Sequence, residues 1–176
     1  MKAMSAGLKR RARRYGFGLL APFWADSDCT QNSMTYYHAY DSKTTVSNPA
    51  EKTRTDAIMN LTKDYIKKYT GEQDINPDWV LVVTWVNNFP LLENDFTGNK
   101  PNTFQLVLMS DRNKKKTYVV YLYDPTGSDN PVSVRPSFLG YYMTKNGKMH
   151  SKTIEVSNTS NPFRVADLDG NTGKCV

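Results

Sequence analysis

The spacing of apolar positions changes along the chain, and each change marks an element. Met34, Tyr36, His38 and Tyr40 alternate with Thr35, Tyr37 and Ala39, the two-residue period of a half-buried strand. After Asn48-Pro49 the period lengthens. Ile58, Leu61, Tyr65 and Tyr69 recur at helical intervals, so a helix burying those residues is expected over about residues 51–70, stopped by Gly71. Trp79 to Val86 is apolar on both faces, as in a central strand covered from two sides. Asn102-Thr-Phe-Gln-Leu-Val-Leu108 and Thr117-Tyr-Val-Val-Tyr-Leu-Tyr123 continue the sheet. They are joined through Asp111-Arg-Asn-Lys-Lys-Lys116, a lysine-bearing tip expected to project into solvent and protect an edge. Phe138-Leu-Gly-Tyr-Tyr142 reads as a further strand before a turn at Lys145-Asn-Gly-Lys148.

At the front of this series, Phe17, Leu19 and Leu20 lead into Pro22. Proline cannot donate to a ladder, so this is an edge strand. Residues 21–28, Ala-Pro-Phe-Trp-Ala-Asp-Ser-Asp, step from apolar into an acidic turn. The elements add up to an α+β domain, mainly antiparallel sheet or sandwich with one packed helix. At 176 residues the chain is one domain with room for a substantial core. Its longest aliphatic run, Val80 to Val83, is far too short to span a bilayer.

Charge changes the picture only at one end. The formal net charge is +6, but Lys2, Lys9, Arg10, Arg11, Arg13 and Arg14 fall in the first 20 residues with no acid among them. Removing those six from the 23 basic residues leaves 17, equal to the 17 acidic ones. The body is neutral, which argues against nucleic acid, since that partner calls for basic residues spread over a folded face. Residues 1–15 read as a disordered basic leader ahead of a domain at 16–176. Arg11-Ala-Arg-Arg14 fits the Arg-x-Arg-Arg pattern of secretory processing after Arg14, with a solvated leader of no further role as the alternative. No small-x-small site follows the apolar stretch from Phe17 to Trp24, so it is not read as a signal peptide, and an export signal is expected outside these residues.

The search for chemistry returns little. There is no nucleophile elbow, no phosphate-cradling glycine loop and no zinc spacing of Cys and His. No cofactor is expected, and no catalysis. His38 lies inside the alternating strand, where a structural histidine outweighs a catalytic base. Asp26 and Asp28, and then Asp167, Asp169 and Asn171, offer oxygen ligands at alternating positions. The second group approximates a calcium loop, but its glycine falls one place late and the closing bidentate acid is missing. Turn formation accounts for the same residues. Asn60-Leu-Thr62 and Asn158-Thr-Ser160 are glycosylation sequons, the second in a polar loop. Cys29 and Cys175 are either free thiols or, under oxidising conditions, a pair closing a long loop.

These blocks, in this order and spacing, resemble the nidogen-like (NIDO) domain of nidogen, alpha-tectorin and the large membrane mucins. The resemblance covers roughly residues 16–176. A helix fills the same slot between the tyrosine strand and the tryptophan strand, and Asp167-Leu-Asp-Gly-Asn-Thr-Gly173 is similar to the stretch that leads into the family's closing strand. That strand would fall beyond Val176, so the domain is expected to be truncated before it. The resemblance implies an extracellular, non-enzymatic module of cell–matrix adhesion, secreted or in a mucin-type ectodomain. Its partners would be matrix or cell-surface proteins, and it would be a glycoprotein with a disulfide at Cys29 and Cys175. The alternative is a calcium-dependent carbohydrate-binding module using exposed tyrosines. Phe23, Trp24, Trp79, Trp85 and Phe104 carry the resemblance and are expected in the core, with both Trp24 and Trp85 buried.

Overall fold

Local signals define the helix. In the computed structural model, which describes residues 18–24, 27–28, 32–44, 48–90, 101–124, 137–145 and 148–156, α1 spans Pro49–Thr70. Extended Asn48 caps it by accepting from the Ala50 N–H at 3.0 Å, and Pro49 sits in the first turn, where no amide hydrogen is missed. The cap pulls the start two residues ahead of the expected Glu51. At the other end Gly71 turns left-handed at φ 75° and returns its N–H to the Lys67 carbonyl at 3.0 Å.

The strands are β1 (Leu19–Trp24), β2 (Ser27–Asp28), β3 (Met34–Asp41), β4 (Trp79–Pro90), β5 (Asn102–Asp111), β6 (Lys116–Tyr123), β7 (Ser137–Lys145) and β8 (Lys148–Val156). All of their pairings are antiparallel. β4, β5 and β6 form the body of a five-stranded sheet, and β2 and β3 share the other edge of β4. β3 runs opposite Trp79–Val86, and β2 opposite Phe89 and Pro90. A second sheet has the order β1-β7-β8, which makes β1 the edge strand that Pro22 requires. The architecture is α+β, with one helix and two antiparallel sheets among the described residues.

Strand alternation sorts the large sheet into two faces. Val80, Val107, Met109 and Val120 point to the helix and pack with Met59, Ile66 and Ile75 in the main core. On the opposite face Phe104, Leu106 and Tyr121 are buried toward the second sheet. Phe23 meets Phe104 there at a ring separation of 5.5 Å. The Tyr121 hydroxyl donates to the Gly140 carbonyl at 2.8 Å, and the Tyr123 hydroxyl donates to the Pro22 carbonyl. The two-sided apolar sequence of β4 and β5 thus reflects a sheet covered by the helix on one face and by the small sheet on the other.

Several expectations need correction. The buried stripe of α1 is Thr55, Met59, Thr62 and Ile66, while Leu61 is 50% exposed and Ile58, Tyr65 and Tyr69 flank the stripe. Two threonines bring the helix close to the sheet, and their small methyl-bearing side chains pack where the pattern counted them as polar. β3 is less buried than its alternation suggests: Met34 to Ala39 are all exposed, and only Tyr40, packed against the main core, and Asp41 are half-buried. Trp24 is 36% exposed, since Phe23 takes the inward position and its neighbour in the strand must face away. Trp85 is half-buried, stacked on Phe104 at 5.1 Å. β8 was not anticipated at all, because its Lys-Met-His-Ser-Lys-Thr sequence carries few apolar positions and its place is fixed by pairing with β7.

Candidate recognition surface

The most solvent-facing large hydrophobic side chains among the described residues gather on β3. Met34 is 53% exposed, Tyr36 56% and Tyr37 79%. His38 and Tyr40 continue the strand, their rings 4.5 Å apart. Among the described residues β3 pairs with β4 alone. A strand with so little burial needs to be held by other means, and polar contacts pin both of its ends.

At the start, the Ser33 hydroxyl donates to the Asn87 carbonyl at 2.7 Å. Asn87 sits at φ 53° in the irregular stretch where β4 breaks register with β5, a conformation asparagine tolerates better than most residues. At the far end, Asp41 accepts from the Lys43 N–H at 2.9 Å and from the Arg112 guanidinium at 3.1 Å, and these contacts hold its carboxyl below the usual range. Asp78 is buried beside it. One of its oxygens accepts from the Arg112 backbone N–H at 3.3 Å, and the Lys43 ammonium pairs in charge with the other at 3.0 Å without hydrogen-bond alignment. Ser42 donates its N–H to the Asp78 carbonyl at 3.0 Å.

The β5–β6 hairpin completes this anchorage, although its tip, Arg112 to Lys116, is exposed to solvent as expected. Lys114 pairs with Asp74 at 2.6 Å and Lys116 with Glu72 at 2.7 Å, so the lysines fold back onto the segment that leaves the helix. Glu72 also accepts from the Tyr118 hydroxyl at 2.8 Å. The hydrogen bond from Lys116, followed by that from Tyr118, lowers the Glu72 carboxyl, and the same contact raises the Lys116 ammonium. Buried Asp111 accepts from the N–H groups of Asn76 and Lys114, each at 3.0 Å, and the Asn76 bond leads the causes that lower its carboxyl.

Between β3 and α1 the sheet is left open as a groove of about 380 Å³. Ile58, Leu61 and Tyr65 form its helical wall, and Tyr36, His38 and Tyr40 its strand rim. Its floor includes Thr84 and Gln105, directly paired across β4 and β5 and joined by a Gln105 Nε2 to Thr84 Oγ1 hydrogen bond of 2.6 Å.

Arg14, Asp26, Cys29, Asn158, Asp167, Asp169, Asn171 and Cys175 lie outside the described residues, and Asp28 is described only as backbone in β2. Asn60 is exposed on α1, but Thr62 of the same sequon is buried beneath the helix, unlike the surface loops where acceptors are usual. Among the described residues no group of three or more Cys, His, Asp or Glu could hold a metal, and no helix is long and apolar enough to cross a membrane.

The model of the nidogen-like domain family matches residues 6–170, nearly the whole chain. The chain belongs to the nidogen-like domain family. It is similar to Mucin-4 of Homo sapiens, 28% identical over 127 residues that make up 70% of this chain and 2% of that protein. It is also similar to Nidogen-1 of Mus musculus, 29% identical over 63% of the chain and 8% of the relative. With Nidogen-1 of Rattus norvegicus the identity is 30%, over 63% of the chain and 31% of the relative. The chain therefore spans less than a third of the length of each of these relatives. No solved structure matches. As a nidogen-like domain it is extracellular and a module of the matrix type.

Proposed function

We infer that this nidogen-like domain mediates cell–matrix adhesion by surface recognition, within a larger secreted or membrane-anchored protein, and that β3 and its groove are the recognition face. The observation that carries this reading is the exposure of Tyr36 and Tyr37 on a strand pinned at both ends. Tyrosine suits such a face because its ring offers a large contact area with few torsions to freeze, and its hydroxyl remains a polar handle. A mobile aromatic strand would lose affinity to ordering on binding, whereas a pinned one is preorganised. The partner is a matrix or cell-surface protein.

The rest of the design fits an exported domain. A bridge between Cys29 and Cys175 would close a long loop, Asn158 and Asn60 would carry sugars, and cleavage after Arg14 would release the leader. These remain proposals alongside the adhesive role. The test is adhesion of the secreted chain to cell-derived matrix, compared with a Tyr36→Ser/Tyr37→Ser double variant. The variant should keep its melting temperature and lose most of its adhesion. Full adhesion by the folded double variant would overturn the assignment of this face.

A further inference from the structure

We propose that the groove between β3 and α1 is a calcium-independent site for a neutral saccharide chain. The inference rests on reading the aromatic strand as the recognition face, and it commits that face to one ligand chemistry. The first argument is charge. None of the described residues lining the groove is Asp, Glu, Lys or Arg, so it offers nothing to neutralise a sulfated or sialylated glycan or a charged peptide.

The second argument is the row Tyr36–Thr84–Gln105–Leu122, in register across β3, β4, β5 and β6 on the helix-facing side. The two rows beside it, His38–Val82–Val107–Val120 and Tyr40–Val80–Met109–Tyr118, are mostly apolar, and they supply most of the sheet's contribution to the core. Thr84 and Gln105 are the polar exceptions, and they lie in the floor of the groove rather than under the helix. Gln105 Nε2 donates to Thr84 at 2.6 Å. What Gln105 has left for a ligand is the second hydrogen of Nε2, a donor, and its carbonyl oxygen, an acceptor, while the Thr84 hydroxyl retains its own hydrogen as a donor.

That pairing separates the two neutral ligands an aromatic-lined groove usually takes. A proline-rich peptide would dock on the rings, but it offers carbonyl acceptors and few N–H donors, and so would leave the Gln105 acceptor desolvated and unpaired. A sugar hydroxyl both donates and accepts and can satisfy both floor groups at once. The C–H faces of a pyranose complement the electron-rich faces of Tyr36, Tyr40 and Tyr65 at the rim and wall. A groove of about 380 Å³ has room for a short run of sugar units.

The experiment titrates the full 176-residue chain with three probe sets: neutral hexose and N-acetylhexosamine oligosaccharides, their sulfated and sialylated counterparts, and a proline-rich peptide. Calorimetry gives affinity, and amide chemical-shift changes give location. A neutral oligosaccharide should bind equally in calcium and in chelator, shifting amides of β3, Thr84 and Gln105. Gln105→Leu and Tyr36→Ala should each weaken it about tenfold or more without changing the melting temperature. Should Gln105→Leu unfold the sheet, Tyr36→Ala on the exposed rim and the shift map carry the test. Binding of no neutral probe would overturn the proposal, as would selective binding of the acidic set, occupation of the groove by the peptide, or affinity surviving both substitutions.

Adhesion to matrix stripped of neutral glycans distinguishes this inference from the adhesive reading. Adhesion that persists there, and is still lost in the Tyr36/Tyr37 variant, leaves the adhesive reading standing and defeats the saccharide. Sugar binding in solution without adhesion to native matrix supports the saccharide and defeats the adhesive role.

Discussion

Replacing Asp111 by alanine tests how the recognition strand is held, because this one carboxylate supports the loop from which Asp78 reaches β3. Asp111 is 1% exposed and accepts two backbone hydrogen bonds, from Asn76 and from Lys114, each at 3.0 Å. Alanine leaves both donors without their acceptor. A donor deprived of its partner costs about 1–3 kcal/mol when buried, and the lower end applies where water can replace the carboxylate. Asn76 and Lys114 are exposed residues whose bonds to Asp111 are only partly buried, so a total of about 2–4 kcal/mol is expected from the two contacts. For a domain of this size that lowers the melting temperature by about 4–16 °C.

The pH dependence follows from the same contacts. The Asp111 carboxyl is held below its ordinary value in the folded state, chiefly by the Asn76 N–H. A depressed folded value means that the stabilisation is fully present above the unfolded value and is lost as pH falls through the folded one. The parent should therefore lose stability on acidification below about pH 4, and Asp111→Ala should lose less over that window. Urea unfolding at pH 7 and across pH 2–5, followed by tryptophan fluorescence, measures both effects. A variant within about 0.5 kcal/mol of the parent at pH 7, with an unchanged acid limb, would refute the reasoning.

Three further outcomes follow from the fold. Ile66→Ala should cost about 2–5 kcal/mol by chemical denaturation, whereas Leu61→Ala should stay within about 0.5 kcal/mol; the reverse order would restore the helix face expected from sequence. Gly71→Ala should lower stability by about 1 kcal/mol through backbone strain alone, since a Cβ there meets nothing within 4 Å, and an unchanged melting temperature would show that the helix end relaxes. Mass mapping of the secreted chain without reduction should recover the peptides of Cys29 and Cys175 linked, and both thiols free would exclude the bridge.

Features decided by neighbouring residues were readable in the sequence. Asn48, Pro49 and Gly71 bound α1 because capping and left-handed turns are satisfied within a few residues of chain, whatever the helix packs against. β4, β5 and β6 were readable because being covered on both faces makes nearly every position apolar. Pro22 placed β1 at an edge because it lacks a donor. The nidogen-like arrangement followed from the order of these blocks.

Tertiary structure decided what each surface meets. The period of α1 showed that it is amphipathic, but Thr55 and Thr62 rather than Leu61 face the sheet, because close approach there favours small side chains. β3 alternates like a half-buried strand, yet its first six residues stay exposed and only Tyr40 reaches the main core. Lys114 and Lys116 have the composition of a solvated tip, and only the chain's return past Glu72 and Asp74 gives them partners. Thr84 and Gln105 are unremarkable letters in two apolar strands. Antiparallel register puts them side by side, and the position of the helix leaves them open to a ligand. Contacts made across long sequence separations have no local signature, so the recognition surface depends on the fold even though the fold itself could be read.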